Sequence, residues 1–177
     1  MKPFCSNDVL KTLYYSLFNS HLSYGLSTWG SNVSDTQMHG LQVLQNRILW
    51  IIASVSQENP LHCTNIRKSL GILTIKDQLK VQISSIMWDY DHESLPSHLK
   101  SFFLRSSDVH NYNTRSASRG NLYFTKTNST SYGIKSLKIQ GVKILNDLLG
   151  KDIYRNAKTK TSFIKNLKFE LLSLYWI

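Results

Sequence analysis

Four stretches in the first 95 residues carry apolar side chains at helical spacing, each bracketed by start or stop signals, so the first half of this chain must fold as packed helices. One long amphipathic stretch runs through Ile75, Leu79, Ile83, Ile86, Met87 and Tyr90. Thr74 with Asp77 opens it as a capping pair, and it has to end before Pro96. From about Val9 to Tyr24, Leu10, Leu13, Tyr14, Leu17 and Phe18, then less cleanly His21 and Leu22, follow i, i+3, i+4, i+7, i+8 spacing, with Asn7 or Asp8 as the cap. Another helix opens at Ser34, boxed by Gln37. Its expected buried stripe is Met38, Leu41, Leu44, Ile48, Ile51 or Ile52, and Val55, and Gly40 weakens only its first turn. Pro60 and Gly71 bracket a short helix with Leu61, Ile66 and Leu70, Pro at the start and Gly past the end.

Beyond Phe103 the texture changes. Arg105 to Asn121, RSSDVHNYNTRSASRGN, is polar, rich in Ser and Asn, and without period, which predicts a loop or a segment that orders on binding. Asn121 to Thr125 and Ile134 to Ile139 then show partial alternation around a polar turn at Asn128 to Gly133, which predicts a β-hairpin. Val142 to Leu149 reads as a short helix. Ser162 is the expected cap of a last one, with the stripe Phe163, Leu167, Leu171 and Leu174. The expected fold class is therefore mainly α: a small helical bundle with a C-terminal β-hairpin and a terminal helix, the strands a minor α+β component. Residues 1–103 are expected to form a neutral helical bundle, 104–120 a polar basic loop, and 121–177 a basic hairpin-plus-helix lobe.

The distribution of charge supports that partition. The 177 residues carry 21 Lys and Arg against 11 Asp and Glu, a formal +10. Residues 1–97 hold seven of each sign, while residues 98–177 hold fourteen basic and four acidic, which is the whole excess. A neutral half beside a cationic half points to a polyanion, nucleic acid first, on one lobe. The hydrophobic share of 41% rules out a disordered basic tail, and the length rules out a large multidomain enzyme.

Enzymatic signatures are sparse. Asp89, Asp91, His92 and Glu93 form the densest carboxylate cluster, but Asp89 and Asp91 point about 200° apart on a helix and suit a solvated helix end better than a metal site. His62 beside Cys63 has no partner at zinc spacing. Gly-rich phosphate loops, Gly-x-Ser-x-Gly and His-Glu-x-x-His do not occur. No metal, cofactor or small-molecule substrate is expected. Cys5 and Cys63 give no disulfide framework, and MKPFCSND is not a secretory leader. The longest greasy run, Ile48 to Ala53, is too short to span a bilayer, so an intracellular setting, cytoplasm or nucleus, is expected and the sequons at Asn32 and Asn128 carry little weight. The last helix sets Lys158, Lys160, Lys165 and Lys168 near an apolar stripe, a pattern that more often packs on its own domain than on a membrane.

What stands out is His110 to Lys143, where Arg115, Arg119, Lys126, Lys135, Lys138 and Lys143 interleave with Tyr112, Tyr123, Phe124 and Tyr132. Cations for phosphates and aromatic faces for bases are the two parts a nucleic-acid surface needs. The competing reading is a basic hairpin with core aromatics and solvated lysines. The expected contacts are the six cations, with Tyr112 as a stacking residue.

Leu10 to Gly30, LKTLYYSLFNSHLSYGLSTWG, resembles the helix after the polymerase palm in reverse transcriptases of non-LTR retrotransposons of the jockey and related LINE-type groups. Leu41 to Ala53, Pro60 to Asp77, Leu95 to Phe103, His110 to Ser118, Ser131 to Leu148 and Ser162 to Lys168 resemble further segments in the same order, HNYNTRSAS with the Ser-Tyr-Gly…Ser…Gly…Asn run from Ser131 being the most specific part. Trp50 stands where the family usually has Arg. Its Gly-Pro, Trp-Asn and Leu-Pro pairs appear here as Gly141-Val142, Leu145-Asn146 and Leu148-Leu149. The resemblance implies a thumb and post-thumb region gripping template RNA or RNA/DNA duplex. It also implies no polymerisation by this chain alone, because the palm aspartates that hold two metal ions are not in it. The alternative is a protein-interaction or structural module, a transposon relic without retained activity.

Overall fold

A computed structural model describes residues 6–53, 61–109, 112, 114–126 and 133–176. The chain is mainly helical and divides into two compact units, residues 1–78 with 168–177, and residues 79–167. By sequence the first carries seven basic and five acidic residues and the second fourteen and six, formal charges of +2 and +8.

In the first unit, α1 (Asn7–Leu13) is capped by Ser6, ahead of the expected Asn7 or Asp8, and runs through a π-helical stretch, Tyr14–Asn19, into α2 (Ser20–Ser23). Leu10, Tyr14 and Leu22 are buried and Phe18 packs beside the first two, so the inward residues recur every four positions. In an α-helix that spacing drifts about 40° per step. The wider turn, in which Ser20 N–H reaches the Tyr15 carbonyl, takes up an additional residue and corrects the drift. Leu13 and Leu17, expected in the stripe, are exposed instead.

The short α3 (Leu26–Trp29) follows a left-handed Gly25, and α4 (Asp35–Ala53) begins on the expected box. Gln37 N–H donates to Ser34 Oγ at 3.3 Å and Ser34 N–H to Gln37 Oε1 at 3.2 Å. Its buried stripe is Met38, Gln45, Leu49 and Ile52; of the expected Ile51 or Ile52 it is Ile52 that turns inward, whereas Leu44, expected inside, is exposed. The stripe is centred on a polar residue: the fully buried Gln45 donates to Tyr14 Oη at 2.8 Å and to the Leu73 carbonyl at 3.0 Å, and accepts from Arg67 at 2.8 Å. A satisfied buried amide costs little, so packing and not polarity sets the phase.

Helix α5 (Leu61–Leu70) ends on Gly71 at φ 67°. Ile72 N–H reaches back to the Arg67 carbonyl at 2.8 Å and Gly71 N–H to that of Lys68 at 3.1 Å, the double bond pattern that needs a left-handed residue. Helix α6 (Ile75–Asp91) starts on Thr74, whose Oγ accepts from Asp77 N–H at 3.2 Å. Tyr175, in the 3-10 turn Leu174–Trp176, accepts from Thr74 N–H at 2.9 Å and donates to the Asp77 carboxylate. Leu10, Tyr14, Leu49, Ile52, Cys63, Ile66 and Ile72 form the core of this unit.

In the second unit Trp88 stacks on Phe163 at 4.8 Å between ring centres, and Tyr154 meets both edge-on. Short helices α7 (Ser97–Lys100), α8 (Ser106–Val109) and α9 (Arg115–Ser118) lead to α10 (Leu137–Leu148), then α11 (Asp152–Arg155) and α12 (Lys160–Ser173). The unit boundary falls within α6 and α12.

The expected hairpin does not form. Leu137 and Ile139, assigned to its second strand, are in the first turn of α10, whose buried face is Ile139, Val142, Leu145 and Leu148 at strict i+3 spacing. Ser136 takes an extended conformation ahead of the helix, so α10 begins five residues before the Val142 read from the sequence. The first strand pairs elsewhere, as one antiparallel bridge between Leu122 and Arg105. Most of the expected turn, residues 128–132, lies outside the described residues. The cap of α12 is Thr159, whose hydroxyl accepts from Ser162 N–H at 3.2 Å, so Ser162 sits inside the helix and does not cap it. Phe163, Leu167 and Leu171 are buried as expected, but Leu174, where the helix tightens, is exposed.

Candidate nucleic-acid interface

The polar stretch after Phe103 is a closed loop. Its ends meet at the Arg105–Leu122 bridge, where Ser106 N–H donates to the Asn121 carbonyl at 3.0 Å and Tyr123 N–H to that of Leu104 at 2.8 Å. Arg105 fills the neck: one guanidinium nitrogen donates to the Gly120 carbonyl at 2.7 Å and the other to the Asp91 carboxylate at 2.6 Å. A second neck contact comes from α10, where the Asn146 amide accepts from Leu122 N–H at 2.8 Å and donates to the Leu122 carbonyl at 3.0 Å, standing in for the missing strand.

Gly120 has φ 73°, a left-handed conformation that turns the chain back, and a Cβ there would stand 3.2 Å from the Arg105 guanidinium. Within the loop Thr114 caps α9, its Oγ accepting from Ala117 N–H at 3.2 Å. This turn puts Arg115 and Arg119, four positions apart, on one side, and both are exposed. Tyr112 is 81% exposed, and its carbonyl accepts from Thr114 N–H at 2.9 Å. His110, Asn111 and Asn113 of the same motif lie outside the described residues.

The other expected contacts are spread out. Lys126 is exposed just after the loop, and Lys135 is half-buried and makes an interaction of its own. Lys138 and Lys143 are exposed on α10, but five positions separate them, about 140° around the axis, so they do not share a face. Lys143 sits 5.6 Å over the ring of Phe124, an exposed cation-on-aromatic pair that offers a charge and a flat face together. Tyr132 lies outside the described residues.

Two carboxylates of the cluster, Asp89 and Asp91, are spoken for. Asp89 pairs with Lys160 at 2.5 Å, and Asp91 holds Arg105 on one oxygen and the Tyr154 hydroxyl on the other at 2.7 Å. Burial, and then the hydrogen bond to Asp91, push the Tyr154 phenol far above its ordinary value. His92 stacks on Trp88 at 3.9 Å. No group of three His, Cys, Asp or Glu side chains is poised for a metal ion among the described residues, and no helix among them is long and apolar enough to cross a membrane. Cys63 is buried, and burial pushes its thiol up.

Two residues that position this surface escape sequence reading. Arg105 looks like one more loop cation, and Asn146 like a solvated helix residue. The Arg-Gly-Asn at 119–121 is the one local signal of a tight turn. Comparisons with protein-family models, with curated proteins and with solved structures return no match to this chain.

Proposed function

We propose that the second unit binds RNA or an RNA/DNA duplex through the loop from Arg105 to Leu122 and the adjoining Phe124–Lys143 pair. On this reading the chain is a non-catalytic thumb and post-thumb region like that of a LINE-type reverse transcriptase. One observation carries the proposal: Arg105 is consumed in closing the loop, while Arg115, Arg119 and Tyr112 remain exposed on it, in a unit of formal charge +8. Paired cations on one helical turn beside an exposed ring suit a phosphate backbone with an unstacked base.

The test is RNA affinity against salt for the double substitution Arg115→Ala, Arg119→Ala. Each lost phosphate contact removes about 0.7–0.9 from the log–log slope, so the pair should flatten it by roughly 1.4 to 1.8. Arg47→Ala, in the unit of charge +2, should leave the slope unchanged; an equal loss there would sink the loop assignment. The second reading, a protein-interaction module, is favoured by the exposure of Leu17, Leu44 and Ile51 in the first unit, and it expects RNA retention with no steep salt dependence.

A further inference from the structure

Arg67 is 3% exposed, and its guanidinium donates to Gln45 Oε1 at 2.8 Å, to the Leu73 carbonyl at 3.3 Å and to Asn46 Oδ1, with the Cys63 sulfur one turn back as a further partner. Every acceptor is neutral. Among the described residues no carboxylate lies within ion-pair distance of it. Neutral oxygens solvate a buried cation without cancelling its charge, an arrangement that favours uptake of an anion.

A cavity of about 390 Å³, the size of small-molecule sites, opens beside this guanidinium. Asn46, Thr64, His39 and Lys76 line it with polar groups, and Met38 and Cys63 supply apolar wall. Asp35 is the one carboxylate on the wall. It is strongly exposed and engaged by Lys76 at 3.5 Å, which leaves Arg67 uncompensated.

We infer that this cavity binds a small oxyanion, a phosphate or carboxylate group, on the guanidinium of Arg67. With its other N–H groups held by Gln45, Leu73, Asn46 and Cys63, Arg67 offers the oxyanion its uncancelled charge and one remaining N–H, and Lys76 at the rim adds attraction from outside. The site belongs to the first unit alone and is independent of the loop proposed for RNA.

The experiment is an amide NMR titration of the full chain with inorganic phosphate, with acetate, and with chloride at matched ionic strength. Saturable shifts at Asn46, Thr64 and Thr74 with phosphate or acetate but not chloride are expected; the tighter of the two identifies a phosphate or a carboxylate source. Lys76→Ala should weaken binding about threefold, as expected of an exposed charge. Arg67→Gln should abolish it. If Arg67→Gln does not fold, Thr64→Met, which fills the cavity from an exposed position, should block binding in a folded chain. Shifts that chloride reproduces, that fail to saturate, or that persist unchanged in Thr64→Met overturn the assignment.

Discussion

Removing the Asn146 side chain isolates the device that holds the loop shut. In Asn146→Ala the Leu122 N–H and C=O lose partners at 2.8 and 3.0 Å, and Leu122 is 2% exposed, so water replaces them poorly. Two ordinary hydrogen bonds are worth about 1 kcal/mol each, and two stranded buried groups raise the loss to about 2–4 kcal/mol. With a urea dependence of about 2 kcal/mol per molar, the unfolding midpoint should fall by roughly 1–2 M. Hydrogen exchange gives the local readout: the Leu122 amide should lose protection far more than Leu145 or Leu148 in the same helix. Asn146→Asp keeps an acceptor for Leu122 N–H but offers its carbonyl no donor at neutral pH, so it should lose about half as much. A midpoint change under 0.3 M with Leu122 still protected would refute the claim that a side-chain amide substitutes for a strand.

Further outcomes follow from other contacts. Gly141→Ala would put a Cβ 2.6 Å from Met87 Sδ and 3.3 Å from the Phe103 ring, so thermal or urea unfolding should show a loss of about 1–3 kcal/mol, and combined with Met87→Ala the two losses should come to less than their sum. Burial, then the hydrogen bond to Asp77, push the Tyr175 phenol up to about 12, so the folded state keeps a proton that the unfolded chain releases above pH 10. That contribution is complete below pH 10 and is lost as pH rises toward 12; Tyr175→Phe should flatten the fall in stability across that window. Purified chain with primed RNA template, deoxynucleotides and Mg²⁺ should incorporate nothing above background; template-dependent synthesis would overturn the fragment reading.

The elements legible in the sequence are those whose determinants lie within a few residues. Ser34 with Gln37, Thr74 with Asp77, and Gly71 after Leu70 are read at the right places because capping joins neighbours. The misses depend on distant partners. Gln45 is buried because Tyr14 and Leu73, 31 and 28 positions away, meet its amide, and no local pattern announces that. Ile134, Leu137 and Ile139 alternate only in part, the first two being three apart, whereas Ile139, Val142, Leu145 and Leu148 carry the i+3 rhythm of α10, so a helix forms where the alternation suggests a strand. Of the candidate interface, the cations and Tyr112 were legible by composition, but their closure by Arg105 and Asn146 was not, since both act across the fold on backbone groups.

The wide turn at Tyr14–Asn19 makes the first helix unusually tolerant of a change in chain length. Its inward residues, Leu10, Tyr14, Phe18 and Leu22, are spaced for a helix wound one residue too loosely. Deleting Ser16 would bring Phe18 and Leu22 one position nearer to Tyr14, which gives the i, i+4, i+7, i+11 spacing of an ordinary α-helical stripe. The same deletion in α4, where Met38, Gln45, Leu49 and Ile52 already fit an α-helix, would rotate everything beyond it by about 100° and pull Leu49 and Ile52 off the core. Loss of a codon is therefore expected to be absorbed in the first helix and to unfold the unit in the fourth.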